Sequence, residues 1–209
     1  QSAKILSLFE ETPLEQVQSL LMSGLLADLR DANIAGINRA QFRRVCGLGP
    51  LTPECPRWRT LTIGGVPADE LLEQLETAGC DVSSWAKDVM GKPQFTTLSE
   101  PTEVKLAKTT VRGLGFTDPP TTTKLFARIQ EVGDFCPAEA GPHLRLADTD
   151  QPRDSRYWIA MKPIADSVGD PSVFNVERVG GGRRWLLTDY ADPGYRWYLE
   201  GEIVFRSRK

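Results

Sequence analysis

An α+β fold is what this sequence predicts, with a mainly helical region in residues 1–95 and a small antiparallel sheet in residues 96–209. Three observations lead there. Apolar residues between positions 14 and 29 recur at helical spacing, whereas beyond residue 133 short β-branched and aromatic runs alternate with Gly, Pro and Asp turns. The composition is that of a globular chain: 209 residues, 40% hydrophobic and 25% charged. That excludes collagen, a disordered chain and a membrane-embedded one, and leaves room for a compact domain plus a smaller one without disulfide help.

The first helix is the plainest element. From Pro13, the residues Leu14, Val17, Leu20, Leu21, Leu25, Leu26 and Leu29 form one helical stripe, with Thr12 before Pro13 as cap and first turn. A buried helix face is the expectation. Asn38 with Gln41 resembles a capping box opening a short helix through Phe42 and Val45 that stops near Gly47. A Pro-rich loop spans residues 48–56, residues 68–78 set Leu71, Leu72 and Leu75 on one side of a third helix, and residues 82–90 add a fourth. At Thr102 the pattern changes toward alternation, giving a strand through Val111. Thr121 then caps an amphipathic helix, with Leu125, Phe126, Ile129 and Val132 inward, that ends at Gly133. Leu144 with Leu146, and residues 157–164, 173–179, 184–187 and 202–206, are short strand candidates.

Charge and cysteine usage narrow the function. Residues 1–95 carry 9 basic and 12 acidic side chains and residues 96–209 carry 16 of each, so neither part has the positive excess that neutralises phosphates. Nucleic acid is not an expected partner. Cys46, Cys55, Cys80 and Cys136 match no CxxC pair, and with the single His143 they make no metal framework. They read as reduced thiols, pointing to the cytoplasm. The chain as given has no export signal and no apolar run long enough to span a membrane. His143, in a Pro/Gly-punctuated stretch, reads as structural, and Asp148, Asp150 and Asp154 lack the spacing of a calcium loop and read as solvated turn carboxylates. The glycines 180–182 are followed by a strand and not by a helix, so they read as a β connection. No catalytic residue, metal or cofactor is assigned, and the chain is not read as an enzyme.

The segment LLTDYADPGYRWYLEG, residues 186–201, is different. Three of the four tyrosines, Tyr190, Tyr195 and Tyr198, fall here beside Asp189, Asp192, Arg196 and Trp197. Tyr gives a large amphipathic contact at small rotamer cost, and Arg with Asp adds directional polar contacts, the mixture that binding surfaces favour. Packing against the sheet is the competing reading. Trp185 and Trp197 sit beside regular apolar positions and belong to the scaffold, whereas the intervening Tyr, Asp and Thr residues read as displayed loop positions.

Residues 100–209 resemble the variable proteins of diversity-generating retroelements, through CPAEAGPHLRL, WIAMKPI, VFNVER, GGGRRWL and the terminal IVFRSRK. The resemblance implies a C-type-lectin-like ligand-binding domain whose C-terminal patch is rewritten when a reverse transcriptase misreads adenines in a template copy. Asn codons diversified that way never become Lys, Glu, Gln, Met or Trp. Residues 187–199 contain none of these except Trp197, an absence expected by chance only ~5% of the time from average usage. The implied displayed residues are Leu187, Thr188, Asp189, Tyr190, Asp192, Tyr195, Arg196 and Tyr198, over a scaffold of Trp185, Leu186, Pro193, Trp197, Val204 and Phe205. The partner would be a protein or other macromolecule. Gln151-Pro152 is followed by Arg153, and neither Trp185 nor Trp197 precedes Asn-Asp, so the calcium-dependent sugar-binding variant is not expected. The main alternative is a winged-helix-like nucleic-acid-binding or regulatory module built on residues 121–132, against which stand three basic and three acidic side chains in residues 121–147.

Overall fold

The computed structural model describes residues 12–31, 55 and 57–208, and the chain divides into two compact units, residues 1–49 and 50–209. In the first unit, the stripe expected from Pro13 forms two helices, α1 (Leu14–Met22) and α2 (Leu25–Asp31). They break at Gly24, whose φ of 75° suits a residue without a Cβ. The expected Thr12 cap is replaced by Pro13, with no side-chain cap, and α1 has no buried residue: Leu14, Leu21 and Met22 are exposed, Met22 at 87%. The expected helix at Asn38 and the Pro-rich loop lie outside the described residues, Cys55 apart.

The second unit is a mixed sheet with helices packed on it. Its strands are β1 (Arg57–Ile63), β2 (Cys80–Val82), β3 (Thr102–Thr110), β4 (Gly133–Asp134), β5 (Ser155–Ile159), β6 (Ile164–Ala165), β7 (Pro171–Arg178), β8 (Arg184–Tyr190) and β9 (Glu202–Ser207). The helices are α3 (Ala68–Thr77), α4 (Ser84–Met90), α5 (Thr122–Val132) and α6 (Ala140–Ala147). Strand order is β1-β3-β9-β5-β7-β8-β2, with β4 beside β9 and β6 beside β7. The sheet is therefore larger than the small antiparallel one expected, and two of its pairs, β5 with β9 and β2 with β8, are parallel.

Residues 57–95 belong to this sheet and do not form a separate helical region. Strand β1 pairs with β3, and β2 pairs with β8, so the unit boundary lies at 49/50 where the sequence placed it at 95/96. Strand β1 is built from Trp58, Leu61 and Ile63, half-buried or buried, alternating in its last four residues with exposed Thr60 and Thr62. Strand β2 is only three residues long and leads through Ser83, whose hydroxyl accepts from the Ala86 N–H, into α4. Helix α5 starts as expected, with the Thr121 hydroxyl accepting from the Lys124 N–H, and buries Leu125, Phe126 and Ile129. The strand after α5 is no wing, because β4 has two residues and pairs with β9.

Leu144 and Leu146 lie on helix α6, not on a strand. Pro142 occupies the first turn, where its missing N–H leaves no helical bond unmade, and Gly141 lets the helix approach Phe174, since a Cβ there would come within 2.8 Å of that side chain. One face of the sheet thus meets α6 through Phe174. The opposite face, carrying Trp158 and Phe205, meets α5 and Trp197: Trp197 packs edge-on to Trp158 at 4.7 Å and lies 6.4 Å from Phe126. Among the described residues no helix is long and apolar enough to cross a membrane.

Candidate functional site

The segment singled out by its tyrosines enters as a strand. Leu187, the end of the strand expected over residues 184–187, pairs with Asn175 of β7, and the strand runs on: Thr188 and Asp189 pair with Phe174 and Val173, and Tyr190 with Ser172, so these three are sheet and not the displayed loop expected. Alternation assigns their faces. Trp158, Asn175 and Asp189 share one face, because the Asp189 carboxylate accepts from the Trp158 indole N–H and, at 2.7 Å, from the Asn175 amide. By the two-residue period, Arg156, Glu177, Trp185 and Leu187 lie on that face too. Thr188 belongs to the opposite face beside Phe174. Asp189 is therefore held by two internal donors. Asn175 is buried and its Oδ1 has no hydrogen-bond partner among the described residues, which leaves Asp189 as the contact that orients it.

After Tyr190 the chain turns. The Asp192 carboxylate accepts from the Gly194 N–H at 2.8 Å, closing an Asx turn, so Asp192 is occupied locally. Residues 195–198 lead into a turn at Leu199 and Glu200, closed by the Gly201 N–H donating to Tyr198 O at 3.2 Å, and main-chain bonds hold the segment. Thr122 N–H donates to Tyr195 O at 2.9 Å, Trp197 N–H to Pro120 O at 3.0 Å, Arg112 N–H to Leu199 O at 2.7 Å, and Val111 N–H to Gly201 O at 2.9 Å. The bonded residues 195, 197, 199 and 201 are buried or half-buried, whereas Arg196, Tyr198 and Glu200 between them are exposed. Trp197 is fully buried, and its indole N–H donates to the Thr122 hydroxyl at 2.9 Å. The sequence assigned Trp197 to the scaffold, and it is there.

The tyrosines divide accordingly. Tyr198 is 62% exposed and Tyr190 43%. Tyr195 is half-buried, edge-on to Trp197 at 5.3 Å and to Tyr190 at 5.9 Å, so the three rings form a chain leading from the surface into the core. Partial burial pushes the Tyr195 phenol up, as do Tyr198 and Asp189, while Arg156 draws it down; those groups surround it. Arg196 is exposed, its guanidinium donating to Pro119 O at 3.0 Å.

Beside Tyr198 lies an open cleft of about 370 Å³, lined by Asp154, Arg156, Trp158, Tyr198, Glu200 and Glu202, among others. Trp158 and Gly201 pack against each other there. The Arg156 guanidinium stands 5.7 Å from the Trp158 ring centroid, a cation over an aromatic face. Glu200 pairs with Arg112 at 2.6 Å and Glu202 with Lys108 at 3.0 Å, whereas the exposed Asp154 has no ion pair among the described residues. Sequence reasoning missed Arg156 and the cleft. Their signal was the alternation of Arg156 and Trp158 in SRYWI, visible only once Trp158 is known to meet Trp197.

Elsewhere, polar clusters serve the fold. Asp148 is buried and not a solvated turn carboxylate: it accepts from Arg59 at 2.8 Å and from the Tyr157 hydroxyl at 2.7 Å. Arg145, fully buried, donates to Gln151 at 2.6 Å, Glu177 O at 3.0 Å and Asp148 O. Ser167, Lys92 and Asp88 meet at the surface, where Asp88 accepts from the Ser167 N–H at 2.7 Å and ties the turn before β7 to α4. Glycines 180–182 form the β7–β8 turn, with Gly182 N–H donating to Val179 O at 2.8 Å. Burial pushes the Cys136 thiol up to about 12, the property of an inert core cysteine. No group of three or more His, Cys, Asp or Glu among the described residues is arranged to hold a metal ion. No family model matches the chain, and no curated protein and no solved structure matches it either.

Proposed function

We propose that this chain is a ligand-binding protein that meets a protein or other macromolecular partner through the surface around Arg156, Tyr195 and Tyr198, without catalysing a reaction on it. The observation that carries this reading is the alternation in residues 195–201, where main-chain bonds fix the backbone while Arg196, Tyr198 and Glu200 project outward. A surface held in that way presents side chains without relying on them for folding, and surface substitutions of this kind are nearly neutral for stability. Arg and Tyr are also the residue types that dominate binding hot spots.

The sharper form of the proposal is that the surface is the diversified patch of a retroelement variable protein on a C-type-lectin-like scaffold. In that form the rewritten positions with least to lose are Leu187, Tyr190, Arg196 and Tyr198, since Arg196 gives up one bond to Pro119 O and Tyr190 one ring contact with Tyr195. Asp189, Asp192 and Tyr195 have internal contacts to lose. Thr188 faces the helices. Two experiments separate the general from the sharper form. Wild-type protein used as bait should retain a partner that the double variant Arg156→Ala/Tyr198→Ala releases at unchanged melting temperature; retention by the variant overturns the binding surface. A reverse transcriptase gene beside this one, with a near-copy of its 3′ end differing at adenines, supports the retroelement origin, and a neighbourhood lacking both overturns it.

A further inference from the structure

Helix α6 begins against the turn that ends β1, and two titratable groups fill the junction. Glu139, at the helix start, is completely buried; its Oε1 accepts from the Leu98 N–H at 2.9 Å, and its Oε2 has no hydrogen-bond partner among the described residues. One turn on, His143 Nε2 lies 3.6 Å from that same Oε2 and accepts from the Gly64 N–H at 3.3 Å. A carboxylate oxygen and an imidazole nitrogen therefore face each other with a single donor, the Gly64 N–H, beside both. One amide cannot satisfy both acceptors, and the buried Oε2 is the one left wanting a hydrogen.

We propose that Glu139 and His143 share one buried proton, and that this proton fastens the start of α6 to the β1 turn as a pH-sensitive clasp. With the proton on either atom, a contraction of a few tenths of an ångström makes a hydrogen bond. The Gly64 amide then serves whichever acceptor is left. The clasp also gathers the neighbouring segment, because Gly65 N–H donates to Leu98 O at 2.8 Å and a Cβ on Gly64 would strike Glu100 O.

Other charges face away. Helix α3 turns Leu71 and Leu75 inward and leaves Asp69, Glu70, Glu73 and Glu76 exposed. On α6 itself Arg145 is engaged with Gln151, on β1 Arg59 is engaged with Asp148, and Glu100 is exposed. On β7 and β8, Glu177, Arg178, Arg184 and Asp189 are half-buried, and Arg178 and Asp189 have their own partners. Burial is the main influence on the pair: it raises Glu139, against the pull of the Leu98 and Gly64 amides, and it lowers His143.

Stability then depends on pH from both sides. Above the ordinary histidine range of about 6.5, the unfolded chain has released both protons while the folded pair keeps one, so stability falls as pH rises. Below the ordinary glutamate range of about 4.3, the unfolded chain binds two and the folded pair one, so stability also falls toward acid. Between these values the two states match.

The test uses the whole chain. Glu139→Gln places an amide N–H where the shared proton sits, so its melting temperature should stay level from pH 7 to 9, where its histidine is neutral folded and unfolded, while that of the wild type drops by about 2–4 °C or more. A wild-type profile that is flat over that range, or one whose drop survives in the variant, overturns the proposal. Should Glu139→Gln not fold, the wild type alone decides. The chain has one histidine, so its imidazole ¹⁵N signals need no assignment. A slowly exchanging proton held between Glu139 Oε2 and His143 Nε2, with ring ¹⁵N shifts that do not follow a free imidazole through neutral pH, is expected; an ordinary, freely exchanging titration refutes the clasp.

Discussion

The two faces of the central sheet solve different problems with the same strands. On the face toward α6, Arg145, Asp148, Gln151, Tyr157 and Arg59 join in one network whose members nearly all have partners. On the other face, past the cover of α5 and Trp197, Arg156, Leu187, Trp185 and Tyr198 remain partly or largely exposed. Burial makes an unmatched polar group costly, so the first face cannot vary one member without the rest. The second has no such coupling except at Asp189. Stability and display are thus divided between the faces, and labelling and mutation can attack that division.

The largest contrast is chemical. Cys136 should resist maleimide at pH 8 in the folded state, while a cysteine placed by Tyr198→Cys should label on the order of a thousandfold faster, as read by peptide mapping. Comparable rates would mean that the covered part opens readily. Next, Arg145→Ala removes the donor to Gln151 and to the Glu177 and Asp148 carbonyls. It should lower stability by about 3–5 kcal/mol in denaturant melts.

Asp189→Ala should cost less, about 1–3 kcal/mol, by leaving the Trp158 and Asn175 donors without an acceptor. Asp189→Asn keeps an acceptor oxygen and should recover part of the loss. A neutral result for Asp189→Ala would return that residue to the displayed set. The smallest change is expected from Arg156→Ala and Tyr198→Ala, each within about 0.5 kcal/mol of wild type by thermal unfolding. A loss like that of Arg145→Ala at either position would erase the distinction between the faces.

Local signals were legible where a chain segment is decided by its own residues. Thr121 opens α5 because a hydroxyl cap acts within a turn, and the apolar runs of β7 and β9 are set by burial on both sides; Gly133 ends the helix in extended backbone, where Phe205 leaves no room for a Cβ. Strand β2 escaped because three residues carry no period, and β1 because its alternation begins with Arg57 and Arg59 after a run of prolines. Helix α6 escaped because Gly141 and Pro142 look like a turn until Phe174, from another strand, explains the glycine. The same distance effect hid the site. Asp148 looked solvated because its partner Arg59 is 89 positions away, and Thr188 to Tyr190 looked like loop because the strand that orders them is read separately. Trp197, by contrast, was recognisable as scaffold from its own neighbourhood.

Gly201 marks a frontier for anyone randomising this region. A single methyl at that position would land on Cζ3 of Trp158, inside the ring's own volume. A combinatorial library confined to the exposed positions up to residue 200 leaves that contact intact, whereas one extended to residue 201 disrupts it in every member that is not glycine.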